Sequence, residues 1–410
     1  MRNGPFLVFA AALAACSGGP GTPPVPAGET GSAPAASPDF GRYSSLYSFA
    51  GKASGGAPQA GLVLHNGLLY GTTSSYGKGF GTVFSVSLSG KLRVLYAFTG
   101  FPDGSYPQAG LVWFNGAFYG TTSAGGLHGG GTVFSVSPAG SEHVVHSFGK
   151  RGDGALPLAG LVELSGGLYG TTENGGRANK GTVFEIDASG HESVLHSFDG
   201  APTDGGHPTA ALVPYKGALY GTTRAGGQLA AGGTVYKITA LGQERVIHSF
   251  GVKPGDGANP AAPLAVLHGA FYGTTLHGGN ASGLGTAFAV TPSGTEEVLH
   301  PFRGGADGEF PLAGLVAVNG VLYGTTMSGG RLEGGPNQCL PNTGTGGESC
   351  GTIFKINVFG DERVIYRFRG YPDGANPEAG LVAVRGILYG TTTWGGSHVE
   401  YGTVFRAWSR

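Results

Sequence analysis

Aspartates that could bind a cation recur at a regular spacing in this chain of 410 residues. Each is followed by glycine, and Gly55-Gly56 stands where a further pair would be expected. The aspartates are Asp103, Asp153, Asp204, Asp256, Asp307 and Asp373. A ring of carboxylates could hold Ca²⁺ or a cationic ligand, but Ca²⁺ takes about six to eight oxygen ligands. One carboxylate per loop therefore favours a turn, in which aspartate accepts from its own backbone and glycine takes a positive φ.

Histidines also recur, at one equivalent position that tyrosine occupies elsewhere. The histidines are His146, His196, His248 and His300, and the tyrosines are Tyr47, Tyr96 and Tyr366. Exchange between histidine and tyrosine is typical of a position where the ring packs against its neighbours and the polar end of the side chain remains free to form a hydrogen bond. Because a repeated position spreads the histidines apart instead of bringing them together, we expect no metal site. Nothing in the sequence indicates a cofactor.

Motifs of known catalytic chemistry are absent from the sequence. It has no Gly-x-Ser-x-Gly elbow, no His-Glu-x-x-His pair and no Walker loop. Acid-base catalysis needs a positioned acid and base, yet the glutamates that depart from the repeat share no spacing. These are Glu173, Glu333 and Glu400. We therefore assign no catalytic residue.

Side chains that depart from the repeat are better candidates for ligand binding. Exposed aromatic rings can stack on sugars or on the aromatic groups of a partner. The candidates are Tyr106, His128, His207, His277, Tyr371, Trp394 and His398, with Tyr76 and Phe101 beside them.

Short recurring phrases place these residues within a repeat. Tyr-Gly-Thr-Thr begins at residues 70, 119, 169, 220, 272, 323 and 389, so successive copies lie 49 to 66 residues apart. A Gly-Thr-x-[Phe/Tyr] phrase follows each copy, and a third phrase ends in phenylalanine after that. A period of about 50 residues is typical of propeller repeats.

Each repeat predicts four short strands. Ala-Gly-Leu-Val begins the first, a turn such as Asn115-Gly116 leads to the second, and β-branched residues alternate in the third. A β-helix is the alternative, but its turns are much shorter than this period. The predicted fold is therefore all-β, a seven-bladed β-propeller of four-stranded antiparallel blades.

The phase of the repeats predicts how the ring closes. The domain begins with an outer strand near residues 42–49 and ends with a third strand near 402–408. The first segment should complete the last blade and remove an open sheet edge. Turns between strands 2–3 and 4–1 then share one face, the loop face. Its loops vary between repeats, so we expect ligands to bind there.

Composition narrows the class of protein. The 82 Gly and 25 Pro would indicate disorder if they followed no pattern. However, 40% of the residues are hydrophobic, which is too many for a chain that stays unfolded. A net charge of −1 provides no field for a polyanion, so we expect no nucleic-acid partner. We expect the domain to be a monomer.

The N-terminus has the features of an export signal. Arg2 precedes a short apolar segment, and Leu13-Ala14-Ala15-Cys16 resembles the lipobox of bacterial lipoproteins. The resemblance implies a signal peptide at 1–15 and a lipid on Cys16. It also implies an exported protein anchored to a membrane of the cell envelope, the outer membrane where one exists. An ordinary signal peptide with a nearby cysteine is the alternative. Residues 16–41 predict a disordered tether, and 42–410 predict the propeller.

The remaining cysteines, Cys339 and Cys350, flank an insertion that the other repeats lack. Export favours a disulfide between them. Zinc is a weaker alternative, because neither a CxxC pair nor an adjacent histidine supports it.

The order of phrases resembles kelch repeats, and their wording resembles the bacterial GloVer tandem-repeat family over roughly residues 43–408. The resemblance implies a propeller-like domain in secreted or surface-anchored proteins and no established reaction. Only Trp113, Trp394 and Trp408 are present, so the regular tryptophan of kelch repeats is missing. We expect a surface-anchored binding module for a glycan or an envelope protein. The alternatives are a carbohydrate-active or other enzyme and a structural spacer.

Overall fold

The computed structural model of the protein describes residues 43–330, 350–398 and 400–409. Within them the chain forms seven four-stranded sheets, and every strand pairing in these sheets is antiparallel. We number the sheets blades 1–7, in the chain order of their innermost strands. The predicted seven-bladed β-propeller is confirmed.

The four strands of each blade follow one another from the central axis outward. The innermost strands are Val63–His65, Val112–Phe114, Val162–Leu164, Val213–Tyr215, Ala265–Leu267, Val316–Val318 and Val382–Val384. The second strands are Leu68–Thr73, Ala117–Thr122, Gly167–Thr172, Ala218–Thr223, Ala270–Thr275, Val321–Thr326 and Ile387–Thr392. The third strands are Thr82–Ser87, Thr132–Val136, Thr182–Ile186, Thr234–Ile238, Thr286–Val290, Thr352–Ile356 and Thr403–Trp408. The outer strands are Leu92–Ala97, Glu142–Ser147, Glu192–Ser197, Glu244–Ser249, Glu296–Pro301, Glu362–Arg367 and, in blade 7, Tyr43–Ser48.

Smaller elements lie on the loop face. Two-residue ladders pair Gly154–Ala155 with Asn174–Gly175, Gly205–Gly206 with Ala225–Gly226, and Gly257–Ala258 with His277–Gly278. The described part of the chain has one helix, a 3₁₀ turn at Lys52–Ser54. None of its helices is long and apolar enough to cross a membrane.

Local sequence explains the tight hairpins between first and second strands. In blade 2, Asn115 and Gly116 both have positive φ, of 45° and 85°. These angles match the twist of the flanking strands, so Phe114 pairs directly with Ala117.

The Thr-Thr pairs hold the blades together. The second threonine hydrogen-bonds a threonine of the third strand, for example Thr122 with Thr132 at 2.8 Å. The first threonine reaches the next blade, where Thr121 Oγ1 donates to the carbonyl of Ala159 at 3.0 Å. In every blade the first threonine donates this hydrogen bond to the next blade. The Thr-Thr pairs therefore form a continuous ring of hydrogen bonds.

Aromatic rings fill the spaces between blades. The phenylalanine after each outer strand packs edge-on against an aromatic ring of the next blade, as Phe98 does on Phe134 at 5.0 Å between centroids. Both side chains are fully buried. Burial of such pairs stabilises each boundary between blades.

The predicted closure of the ring is confirmed. Tyr43–Ser48 pairs antiparallel with Thr403–Trp408 and completes blade 7. Phe49 then packs on Phe84 of blade 1, at 5.2 Å between ring centroids. Thr391 also donates to the carbonyl of Ala60 at 3.1 Å, so the last blade bonds the first as its neighbours bond each other.

The Asp-Gly turns differ from the prediction in one respect. Aspartate does accept from its own backbone, since the amide of Gly104 donates to Asp103 at 2.7 Å. The prediction that glycine takes a positive φ is wrong for four of the six pairs, at Gly104, Gly154, Gly205 and Gly257. Glycine is needed there for space. A Cβ on Gly104 would lie 2.5 Å from the hydroxyl oxygen of Thr122.

The first repeat also aligns differently from the prediction. A Cβ on Gly55 would meet the hydroxyl oxygens of Thr73 and Thr82, which makes Gly55 the counterpart of Gly104. Ser54, and not Gly55, therefore stands at the aspartate position. Its hydroxyl accepts from the amide of Ala50 at 3.2 Å, as Asp103 accepts from Thr99.

Several predicted features lie outside the described residues. They include Cys16, the signal peptide at 1–15, the tether at 16–41 and Cys339. Cys350 is described and buried, and its disulfide with Cys339 stays a prediction.

Candidate functional site

A cavity of about 650 Å³ lies on the axis of the ring, and all seven blades line it. Its wall consists of the small Ala-Gly-Leu segments that precede the innermost strands. Glycine lets these segments approach one another, because a Cβ on Gly160 would lie 3.1 Å from the carbonyl oxygen of Gly110. The volume is within the usual range of small-molecule sites, about 300–1,000 Å³.

The mouth of this cavity opens on the loop face and departs from the repeat. One set of variable positions follows the proline of each 4–1 loop and lines the cavity. It comprises Gln59, Gln108, Leu158, Thr209, Ala261, Leu312 and Glu378. A second set follows each Thr-Thr pair. It comprises Ser74, Ser123, Glu173, Arg224, Leu276, Met327 and Thr393.

A third set of variable residues is held by the backbone in the left-handed region. Each stands directly before the proline of a 4–1 loop, with φ between 53° and 60°. The residues are Ala57, Tyr106, Leu156, His207, Asn259, Phe310 and Asn376. The carbonyl of each accepts from the second set, as His207 accepts from the amide of Arg224 at 3.2 Å. Such strained non-glycine positions cluster at functional sites. We call these three sets the mouth residues.

Polar mouth residues of blades 3–5 form one network. Arg224 Nη1 lies 3.7 Å from Glu173 Oε1, and His207 Nδ1 lies 3.2 Å from the carbonyl of Glu173. Asn259 donates to the carbonyl of Arg224 at 2.7 Å and lies 3.1 Å from His277 Nδ1. Burial, and then the charge of Arg224, lower the pKa of His277. One side of the mouth therefore carries a guanidinium beside a carboxylate, and Asn259 holds the backbone of Arg224 in place.

A single carboxyl group faces this network from the other side of the ring. Glu378 is in blade 7, three blades from Arg224, and accepts from the Gln59 amide at 3.1 Å. Protein surrounds it, although part of its surface meets the cavity. Burial raises the pKa of Glu378, and the Gln59 hydrogen bond opposes this rise. Leu276, Leu312 and Met327 line the wall between the two groups and are apolar.

Four of the seven predicted ligand-binding residues belong to or adjoin this mouth. Tyr106 and His207 are mouth residues, and His277 belongs to the polar network. Trp394 occupies the position equivalent to His277 in blade 7, where its backbone pairs with Ala375. Its side chain is 38% exposed, so it could contact a ligand that projects from the cavity.

The other three predicted residues lie away from the cavity lining. His128 and Leu127 line a shallow groove on the outer part of the loop face. Tyr371 is exposed in a 4–1 loop, and His398 lies beside Tyr401, at 6.4 Å between rings. The structure does not bring these three side chains together.

Sequence reasoning missed a second set of polar clusters, between the outer parts of adjacent blades. Each recurring histidine meets the aspartate of the following loop and a glutamate that begins the next outer strand. The histidines stay apart from one another, as expected, yet each has two carboxyl partners. The groups are His146–Asp153–Glu192, His196–Asp204–Glu244, His248–Asp256–Glu296 and His300–Asp307–Glu362.

Ligand atoms of each cluster lie within 4.8 Å of one another, a spacing that could hold a metal ion. In three clusters the histidine and aspartate are 3.1–3.2 Å apart. Burial, and then the aspartate charge, raise the pKa of Glu192 to about 6 and that of Glu244 to about 7. The recurring phrase Glu-x-Val-x-His could have indicated these clusters.

The three boundaries without histidine differ in these carboxyl groups. Between blades 1 and 2, Tyr96 donates to Asp103 at 2.7 Å, and Glu142 lies beside them. Where Ser54 replaces aspartate, Leu92 stands at the glutamate position. Between blades 6 and 7, Asp373 has no glutamate partner. Tyr43 stands at the glutamate position there, and Asp373 accepts from Tyr366 and Arg369 instead.

Two solved structures illustrate the likeness to known proteins. A gluconolactonase from Xanthomonas campestris shares 13% identity, with a TM-score of 0.41, over 79% of this chain and 89% of that one. A puromycin-hydrolyzing peptidase from Mycobacterium tuberculosis shares 10% identity, with a TM-score of 0.48, over 90% of this chain and 55% of that one. The chain thus spans about half of the peptidase's length. None of the curated proteins matches the chain.

A family model matches most of the repeat region. The match covers residues 27–232 and 153–336, which together exceed half of the 410 residues. Its description, a Gloeobacter/Verrucomicrobia repeat, agrees with the recurring phrases and with the seven blades that they form. The chain belongs to the Gloeobacter/Verrucomicrobia repeat family.

Proposed function

We propose that the protein is a surface-anchored binding module that takes a short glycan at the mouth of its axial cavity. The observation that carries this proposal is the distribution of variation among the blades. The Thr-Thr pairs and the interblade phenylalanines repeat from blade to blade, whereas the mouth residues differ in size, charge and polarity. A ring that served only as a spacer would have no need of such differences at its axis.

The chemistry of the mouth suits a ligand that is both polar and apolar. Gln59, Gln108 and Thr209 offer neutral donors and acceptors, and Arg224 offers a planar, charged donor. Leu312 and Met327 offer an apolar wall. A sugar presents hydroxyl groups at its edge and C–H groups on its face, so it can use both kinds of surface. An exposed aromatic ring at the rim, Tyr106, can stack on a further sugar unit.

A glycan array probed with the lipid-free protein tests the proposal, followed by calorimetric titration of the oligosaccharide that binds best. The variant Arg224→Gln should weaken binding about tenfold or more, because a charged hydrogen bond contributes about 1.5–3 kcal/mol. Arg245→Gln is the matched control, since Arg245 is exposed on the outer strand of the same blade. Equal affinity in both variants, or no glycan bound at all, would contradict this site. Binding of a peptide at the same residues would replace the glycan with a protein ligand.

Hydrolysis of the bound ligand is a second candidate function, and Glu378 favours it. A carboxyl with a raised pKa beside a ligand cavity is suited to act as a general acid. The variant Glu378→Gln would then retain binding of the oligosaccharide and lose its cleavage, measured by release of reducing ends. Binding without any cleavage by the wild-type protein excludes this second function for that oligosaccharide.

A further inference from the structure

The cluster between blades 4 and 5 differs from its three counterparts in how its polar atoms are satisfied. His248 comes from the outer strand of blade 4, Asp256 from the following loop, and Glu296 from the outer strand of blade 5. Their ligand atoms lie within 4.8 Å of one another. His248 Nε2, Asp256 Oδ1 and Glu296 Oε1 are all buried and all lack a hydrogen-bond partner.

In the other three clusters the histidine and aspartate contact each other. Their glutamates, Glu192, Glu244 and Glu362, each keep a buried Oε1 without a partner, as Glu296 does. Asp153 Oδ1 accepts from the amide of Gly154 at 2.7 Å, and its other oxygen lies 3.1 Å from His146. Asp204 is satisfied in the same way. Asp256 is only 8% exposed, and its Oδ1 has neither of these partners. Buried polar atoms are almost always paired. The unpaired His248 Nε2 and Asp256 Oδ1, which are peculiar to this cluster and converge with Glu296 Oε1, therefore indicate a missing partner.

We propose that His248, Asp256 and Glu296 form a binding site for one divalent transition-metal ion of the Zn²⁺ type. One imidazole nitrogen and two carboxylate oxygens are a ligand set that Zn²⁺ accepts, with water completing the tetrahedron. Ca²⁺ and Mg²⁺ fit this set less well, because they prefer oxygen ligands alone.

The surroundings of His248 suit a metal ligand. Burial lowers the pKa of the His248 imidazole, the charge of Asp256 opposes this shift, and the exposed Lys253 adds to it. The backbone of Gly294 lies within hydrogen-bonding reach of the same ring. A backbone carbonyl on the second ring nitrogen is the usual way to orient a metal-bound histidine. A bound ion would connect the outer strands of two adjacent blades.

The chain itself provides a substitution that removes the site and leaves the packing in place. Tyr96 occupies the position of His248 at the boundary between blades 1 and 2, beside Asp103 and Glu142. The variant His248→Tyr therefore installs a residue that this position already accommodates. His146→Tyr is the matched control, because it makes the same change where histidine and aspartate already bond each other.

Titration of the EDTA-treated full-length protein with ZnCl₂, followed by calorimetry, tests the proposal. We expect His248→Tyr to bind one equivalent of Zn²⁺ fewer than the wild type and to lose the tightest phase of the isotherm. His146→Tyr should keep that phase. Co²⁺ in place of Zn²⁺ should give the visible absorption bands of a tetrahedral site in the wild type and not in His248→Tyr. Equal stoichiometry and affinity in the wild type and His248→Tyr would overturn the proposal.

Two further variants guard against a misfolded protein. Glu296→Gln keeps the shape of the side chain and removes one ligand charge, so the tight phase should weaken at least tenfold. Lys253→Gln removes a nearby positive charge and should tighten Zn²⁺ binding. A melting temperature without metal that matches the wild type shows that a variant is folded. If Glu296→Gln and Lys253→Gln are folded and both bind Zn²⁺ as the wild type does, the proposal is also overturned.

Discussion

At the scale of single residues, the boundary between blades 1 and 2 contains a polar cluster of Tyr96, Asp103 and Glu142, which come from separate strands and a loop. Glu142 shows how burial in such a cluster disfavours the ionised form of a carboxyl group. Burial, and then the charge of Asp103, raise its pKa from 4.5 to about 7. A carboxyl with a raised pKa is more stable in its protonated form inside the fold than in the unfolded chain. Protons bound there therefore stabilise the ring.

The first prediction concerns the pH dependence that Glu142 contributes. Because its pKa is higher in the folded state, its stabilising contribution is complete below pH 4.5 and is lost as the pH rises to about 7. The variant Glu142→Gln cannot ionise. We compare the free energy of unfolding of the variant with that of the wild type at each pH. After allowance for solvent screening, this difference should be about 1–2 kcal/mol more favourable to the variant at pH 8 than at pH 4.5. Urea denaturation at the two pH values measures this difference.

The control for this experiment is Glu400→Gln, which changes an exposed glutamate in the loop before the last strand. Its stability relative to the wild type should not vary between pH 4.5 and pH 8 by more than a few tenths of a kcal/mol. A pH-independent effect of Glu142→Gln would show that the carboxyl does not titrate in this range.

At the scale of structural elements, the loop face depends on close approach between a 4–1 loop and the end of a second strand. In blade 4 the two-residue ladder Gly205–Gly206 with Ala225–Gly226 makes this contact. The φ angles of Gly205 and Gly206 lie outside the left-handed region. Steric space, and not backbone freedom, therefore decides which residues these two positions accept.

The second prediction compares alanine at these two adjacent glycines. A Cβ on Gly205 would lie 2.6 Å from Thr223 and 2.9 Å from the hydroxyl oxygen of Thr234. A Cβ on Gly206 would find its nearest atom at 3.5 Å, on Lys180. Gly205→Ala should therefore destabilise by about 1–3 kcal/mol. Gly206→Ala should be neutral or stabilise by a few tenths of a kcal/mol. Chemical denaturation of both variants measures the contrast, and equal effects would contradict it.

At the scale of the whole molecule, a single strand closes the ring. Tyr43–Ser48 supplies the outer strand of blade 7, and Phe49 continues the sequence of interblade aromatic contacts into blade 1. Tyr43 adds a stacked contact with Tyr366, at 4.2 Å between ring centroids. Without this segment, Thr403–Trp408 would become an exposed edge strand, which is a common start of aggregation.

The third prediction tests this closure by deletion of residues 43–49. Loss of a fully buried phenylalanine alone costs about 3–5 kcal/mol, and the deletion also removes a strand. We expect the melting temperature to fall by at least about 5 °C, with an increased tendency to aggregate. Differential scanning calorimetry and light scattering measure these effects. Deletion of residues 17–41, the predicted tether, is the control and should leave the melting temperature unchanged.

The fourth prediction concerns where the protein is held. If Cys16 carries a lipid, Cys16→Ala should move the protein from the membrane fraction to the soluble fraction of the cell envelope. Incorporation of radiolabelled palmitate by the wild type and not by the variant measures the modification itself. Label in both proteins, or in neither, would contradict a lipid on this cysteine.

Local patterns were sufficient to predict the architecture. Alternation within each strand, the Asn-Gly turns and the phase of the repeat are properties of a few adjacent residues. The number of blades follows from counting them. The same patterns predicted that Tyr43–Ser48 would complete blade 7, because an incomplete repeat at each end leaves one arrangement without an open edge. They also identified the loop face on which Tyr106 and His207 line the mouth.

The tertiary structure decided which side chains meet. His248, Asp256 and Glu296 are tens of residues apart, and their meeting depends on how the outer strands of two blades converge around the ring. The mouth likewise depends on seven residues before proline that adopt a positive φ, which no residue type among them requires. Spacing along a strand is a local property, whereas contact between blades depends on ring packing. The sequence by itself therefore determined the scaffold and its loop face, and only the folded ring defined the polar clusters and the cavity mouth.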